Sequence, residues 1–288
     1  MKLSAKNARD GYLLVAPVVL GCLLFYALPF LLVLRRSVMR GVGNSQTFVG
    51  LANYRTVLNQ ELFRLAFWNT MRFLLVGLPL ILVVSFAVAL LLRAQAQKHR
   101  LLKSVLLFPY IMPVIGVVLV VDLLFGGAGL LNGALSALGL PVSDWLHSSS
   151  SFWVAEALYL WKNTGYSVIL LLSGLVTIPE DHYGAARLDG ATAWQRFRYI
   201  TMPQMWYSIF FAVVFSLINA FKCFREIFLI GGTSPHEDIY MLQHFISNNF
   251  EHLSYPKLAV ASVLLLLVVT AAFALLYGWV RRKEEFRA

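Results

Sequence analysis

Long apolar runs alternate with short polar ones along this chain. Six runs reach the roughly 20 mostly apolar residues that a membrane-spanning helix needs, at about 12–34, 68–92, 105–125, 153–176, 205–230 and 258–280. The first has no charged residue between Gly11 and Arg35. It outruns the roughly 7–15-residue apolar core of a signal peptide and lacks an A-x-A exit, so it is read as a retained helix. The pattern predicts an all-α membrane protein with six transmembrane helices. Residues 12–280 form one membrane domain between short tails at 1–11 and 281–288. No internal repeat or low-complexity linker divides it.

One polar, small-residue segment, 179–203, lies between the fourth and fifth runs and is too long for a turn. Pro179 suits the first turn of a helix, and Glu180 and Asp181 complement the positive end of its dipole. Helix formers continue to Leu188, and Gly190 stands where helices commonly end in a left-handed residue. A second helix is expected over about 191–201, ending before Pro203. Ala185, Ala186 and Ala191 keep the surface slim enough to enter a groove, and Tyr183, Trp194 and Phe197 offer contact area. On the residues alone, a surface amphipathic loop anchored by Arg196 and Arg198 fits equally well.

Charge then orients the spans. Lys2, Lys6, Arg9, Arg93, Lys98, Arg100, Lys103, Arg187, Arg196, Arg198, Arg281, Arg282, Lys283 and Arg287 lie in the tails and the second and fourth loops. They outnumber Arg35, Arg36, Arg40, Arg55, Arg64, Lys222, Arg225 and Lys257 on the opposite side, which places both termini and the 179–203 loop in the cytoplasm. The 36–66 loop is an exception, eased because Arg35 and Arg36 can snorkel. With 59% hydrophobic and 13% charged residues, the chain is far from a soluble domain at about 25% charged. The net charge of +10 suits an anionic lipid surface rather than nucleic acid. Cys22 and Cys223 lack metal or redox spacing and read as buried small hydrophobes.

The run Tyr183-Gly184-Ala185-Ala186-Arg187-Leu188-Asp189-Gly190-Ala191, with Trp194 and Ile200-Thr201-Met202-Pro203, resembles the coupling motif of carbohydrate ABC-importer permeases, maltose and multiple-sugar permeases among them. Phe48-Val49-Gly50-Leu51-Ala52-Asn53-Tyr54, Asn69-Thr70, Phe108-Pro109-Tyr110 with Pro113, and Gly231-Gly232 extend the resemblance over essentially the whole chain. Gly184 departs from it, because the family usually has Glu there. The resemblance implies ATPase-coupling roles for Tyr183, Gly184, Ala185, Ala186, Asp189, Gly190, Ala191, Trp194 and Pro203. It also implies a bacterial or archaeal cytoplasmic (inner) membrane, a second permease subunit in a heterodimer, two ATPase subunits, an external solute-binding protein and a carbohydrate, here an oligosaccharide. No cofactor is expected in this chain; ATP and magnesium belong to the partner ATPase.

Two polar faces supply candidates for the translocation path. In span four, Glu156, Tyr159, Lys162, Asn163 and Tyr166 recur at helical spacing, and in span five Ser216, Asn219, Cys223 and Glu226 do the same. Intramembrane polar residues usually face protein or water, and an aromatic and amide stripe suits sugars. The path set is Tyr159, Lys162, Asn163, Tyr166, Ser216, Asn219 and Cys223. Lys222, Arg225 and Glu226 could equally pair with one another at headgroup level. Asp122 could line the path, pair with Lys162 or reach the interface. The chain carries no G-x-x-x-x-G-K-S/T loop, no H-E-x-x-H and no nucleophile elbow, so it reads as a transporter subunit and not an enzyme. The alternative is a secondary transporter driven by an ion gradient, with Asp122, Glu156 and Lys162 as coupling site. Against it, no inverted repeat is visible.

Overall fold

The computed structural model describes residues 5–41, 46–93 and 100–285. Lys2, Lys98 and Arg287 of the charge pattern lie outside the described residues. The described residues are mostly helical, as expected. Among the described residues, five helical stretches are long and apolar enough to cross a membrane: Gly11–Ser37, Glu61–Arg93, Val114–Ala137, Trp206–Gly231 and Tyr255–Gly278. The helix over the fourth run, α8 (Ser151–Val176), has 26 residues. That gives about 39 Å at 1.5 Å per residue, but its polar face makes it less apolar than those five.

The third run departs from expectation. It forms two helices, α5 (Arg100–Ile111) and α6 (Val114–Phe125), broken at Met112 and Pro113. Proline pushes the preceding residue out of helical geometry, and Pro113 itself is extended, with ψ of 145°. Pro109 and Pro79, by contrast, are accommodated inside α5 and the 33-residue α4 (Glu61–Arg93). The long apolar stretch in this region continues through α6 to α7 (Leu130–Ala137). Span five is also jointed, with α12 (Trp206–Lys222) followed by α13 (Phe224–Gly231).

Two compact units divide the chain. The first comprises the chain up to Arg64 and Phe245–Val268. In it, α1 (Ala5–Cys22) passes through a π turn at Leu23–Ala27 into α2 (Leu28–Ser37). From Gly11 to Leu32 most side chains along this helix are exposed, Cys22 included, contrary to its reading as buried; Cys223 is buried as read. A short hairpin pairs β1 (Met39–Arg40) with β2 (Thr47–Phe48) ahead of α3 (Ala52–Leu58). Asn53 fastens it, donating to the carbonyls of Ser37 at 3.0 Å and Met39 at 2.8 Å. Tyr54 donates to Ser37 Oγ at 2.8 Å. The FVGLANY run thus has a structural task in closing this turn.

The second unit, Leu65–His244 with Val269 onward, is built around α8, which packs against α5 and α12. Gly165 permits the α5 approach, because a Cβ there would overlap the carbonyl of Leu106. Small residues at such crossings let helices pack where lipid removes the hydrophobic drive. One apolar cluster gathers Phe73, Tyr159, Leu217 and Ile227, and another gathers Val168, Leu172, Leu175, Tyr183 and Met205. Asn69 donates to the carbonyls of Glu237 and Tyr240, and Thr70 Oγ1 accepts from the Leu242 amide at 2.9 Å. These contacts hold the segment leading into α14 (Leu242–Glu251). Arg72, a charge inside span two, pairs with Asp238 at 3.3 Å and lies over the Phe152 ring.

Candidate functional site

The polar loop after α8 folds into two helical pieces with a sharp corner. Helix α9 (Glu180–Leu188) starts directly after Pro179 and has Glu180 and Asp181 in its first turn. It ends in a left-handed glycine, Gly190 with φ +76°. The Ala191 amide reaches back to Ala186 O at 2.8 Å and the Gly190 amide to Arg187 O at 3.1 Å, the two bonds of a Schellman cap. A second piece, α10 (Ala193–Arg196), opens on a capping box in which Gln195 N donates to Thr192 Oγ1 and Thr192 N to Gln195 Oε1. It does not stop before Pro203. It widens into a π turn over Phe197–Thr201, where the Met202 amide reaches Phe197 O, and passes through α11 (Met202–Gln204). Proline is tolerated because it sits in the first turn of α11, where no N–H is required.

The loop residues divide sharply by exposure. Gly184, Ala185, Asp189, Gly190 and Trp194 are exposed, and Ala186, Ala191 and Pro203 are half-buried. Leu188 is 90% exposed and Trp194 69% exposed, so the corner carries two large apolar side chains in a polar segment. Tyr183 differs from expectation. It is buried, with its hydroxyl 2.9 Å from Thr201 Oγ1 and the Arg93 guanidinium 4.2 Å from its ring centroid. Arg93 also pairs with Glu180 at 2.8 Å. Tyr183 therefore anchors the loop to α4 instead of offering contact area, because position 183 is on the face of α9 turned to the apolar cluster. Phe197 likewise packs against Phe86. Arg93 carried no distinguishing signal in sequence beyond its charge.

The polar faces of α8 and α12–α13 meet at a cavity of about 220 Å³. Lys162 and Asn163 reach it from α8, Asn219 and Lys222 from α12, Cys223 from the joint, and Arg225 and Glu226 from α13; Tyr110 and Val114 close it from α5 and α6. Four of the seven expected path residues, Lys162, Asn163, Asn219 and Cys223, are thus together. Tyr166 stands one layer back, stacked on Tyr110 at 4.8 Å between centroids. Tyr159 and Ser216 are not on the cavity. Tyr159 is fully buried and donates to Ser216 O at 2.8 Å, and Ser216 Oγ lies 3.3 Å from Ser167 Oγ. Both lie in the α8–α12 contact, because the middle of the polar face is where the neighbouring helix packs. Tyr110, missed in sequence, could have been found only as an aromatic beside the Pro109 signal.

The charges also sort differently from the sequence alternatives. Glu226 is 2% exposed and pairs with Lys162 across the two helices. Lys222 and Arg225 therefore do not share Glu226, and Asp122 is exposed without reaching Lys162. Glu156 is buried, its carboxylate oxygens without hydrogen-bond partners, against the close approach of Gly77.

Residues 81–285 match the family described as binding-protein-dependent transport system inner membrane component, and the chain belongs to that family. It is a multi-pass membrane protein and a permease subunit of an ABC importer, not itself an enzyme. It is 30% identical to the trehalose/maltose transport system permease protein MalF of Thermococcus litoralis, over 96% of this chain and 95% of that one. It is 28% identical to the arabinooligosaccharides transport system permease protein AraP of Bacillus subtilis, over 91% and 85%. Its fold matches that of a bacterial alginate ABC transporter solved with an alginate pentasaccharide-bound periplasmic protein. The TM-score is 0.81 at 20% identity, covering 98% of each chain. Family membership sets aside the ion-gradient alternative.

Proposed function

We propose that this chain forms half of the translocation path of a heterodimeric importer for a carbohydrate, an oligosaccharide in size class, delivered by an external solute-binding protein. Six spans, counting α8, put both termini and the 179–203 loop in the cytoplasm of a bacterial or archaeal cell. Two ATPase subunits, holding ATP and magnesium, dock on that loop. Closure of the ATPase dimer pushes on α9 and α10, and the clamp of Arg93, Glu180 and Tyr183 passes the push to α4. Alternating access needs two packings favoured by different nucleotide states, and the jointed spans three and five supply places to bend.

The observation that carries this reading is the exposed Leu188 and Trp194 on a corner whose Tyr183 and Phe197 are turned inward as anchors. An apolar tip on a rigid polar loop fits a groove in a second protein. The names of relatives that carry trehalose, maltose or arabinooligosaccharides support the substrate class. Gentle-detergent purification of the tagged protein from its native membrane, with partners identified by mass spectrometry, tests it. A second permease and a P-loop ATPase are expected; a lone chain that still transports would overturn it. Replacing Gly190 with Val forces a β-branched residue into φ +76°, and replacing Ala186 with Trp thickens the docking face. Both variants should insert normally yet lose solute-stimulated ATP hydrolysis by at least about tenfold, a coupling loss of about 1.4 kcal/mol.

A further inference from the structure

The α8–α13 cavity has an unbalanced charge. Three cations, Lys162, Lys222 and Arg225, line it with one carboxylate, Glu226. Glu226 is committed to Lys162. Among the described residues, no acidic group lies within ion-pair distance of Lys222 or Arg225, and both are exposed. They stand three residues apart on either side of the Cys223 joint, and both line this cavity. The remaining lining is amide and aromatic, from Asn163, Asn219 and Tyr110.

We infer that the solute taken through this cavity is an oxyanion-bearing carbohydrate, with a carboxylate or phosphate group held by Lys222 and Arg225. This rests on the importer reading above and narrows its substrate class. A neutral sugar would leave the two like charges at this cavity without a counter-charge. An oxyanion neutralises them, and the planar guanidinium of Arg225 can bind it through two parallel hydrogen bonds while Lys222 acts as a point charge. Tyr110, backed by Tyr166, adds an aromatic ring to the lining for the sugar, and the amides of Asn219 and of Asn163, which gives one N–H to Tyr159 O, offer polar groups for hydroxyls. The Lys162–Glu226 pair acts as a neutral wall, since neither charge is available to the solute.

The test is ATP-driven uptake by the complete importer in proteoliposomes, using radiolabelled trigalacturonate, its trimethyl ester and maltotriose, with glucose 6-phosphate as the phosphate arm. Uptake of trigalacturonate or of the sugar phosphate at least tenfold above the ester and maltotriose is expected. Lys222→Gln with Arg225→Gln should cut that uptake at least tenfold. The charge-preserving exchange Lys222→Arg with Arg225→Lys should retain most of it, which separates charge from packing. Preference between the two anions identifies which group is recognised. Equal or better uptake of the ester or maltotriose overturns the inference and leaves the importer reading intact. That is also the result if an acidic side chain of the second permease covers the two cations. No uptake of either anion by an importer that hydrolyses ATP likewise overturns it. Failure to recover an ATPase with this chain at all would instead sink the importer reading.

Discussion

Single residues in this protein are interpretable because membrane and loop positions penalise different faults. Gly184 lies mid-helix in α9, and a Cβ there would meet nothing within 4 Å. Gly184→Ala should therefore raise stability by up to about 1 kcal/mol, the helix-propensity difference, seen as a higher melting temperature of the detergent-purified protein. The family-typical Glu would fit the same open space. His244 is the opposite case. It is buried among Phe224, Phe228 and Tyr240, accepts the Met241 amide at Nδ1, and has no partner at Nε2. Burial pushes its pKa down from 6.5 to about 4. The folded state thus holds the neutral ring while the unfolded state binds a proton below 6.5, so the stabilising contribution is full above that pH and is lost as pH falls toward 4. Melting temperature should fall through that window, and His244→Gln, which keeps an acceptor without titrating, should shrink the fall. An unchanged pH profile in the variant would remove His244 from the explanation.

At the scale of elements, the Lys162–Glu226 pair joins α8 to α13 across the cavity. Breaking a buried pair leaves one charge uncompensated, at about 3–5 kcal/mol, whereas replacing both partners with apolar groups is often near neutral. Lys162→Met should therefore sharply lower thermal stability, and Lys162→Met with Glu226→Leu should recover most of the loss. A double variant as unstable as the single one would show that the pair's worth lies elsewhere. The break between α5 and α6 has a visible sequence cause in Pro113, while Pro79 and Pro109 sit within continuous helices. An interior proline can be carried in a membrane helix where neighbours satisfy the carbonyl it frees. Pro203 is carried differently, in the first turn after the helix widens upstream over Phe197–Thr201.

At the scale of the whole molecule, the exposed corner of the 179–203 loop is expected to be a subunit contact. Leu188→Ala with Trp194→Ala removes two large exposed side chains of the corner without touching the Tyr183 anchor. Recovery of the ATPase with the tagged chain should drop at least about tenfold, roughly 1.4 kcal/mol, while the second permease is still recovered. Equal loss of both partners would mean a folding defect, and loss of neither would mean that the corner is not the docking site.

Apolar run length and the small-residue loop were legible in sequence because each depends on local composition: hydrocarbon thickness sets span length, and φ at Gly190 is a property of one residue. The polar faces of spans four and five could be read too, since helical spacing alone puts Lys162 beside Asn163 and Asn219 beside Cys223. Which part of a face meets the cavity was not legible. Tyr159 and Ser216 share the spacing but are covered by a neighbouring helix, and only tertiary packing decides which helix covers which turn. The same holds for charge pairing. Glu226 lies next to Arg225 in sequence, yet its buried partner is Lys162, 64 residues away. Once that pair forms, Lys222 and Arg225 are the charges left for a ligand.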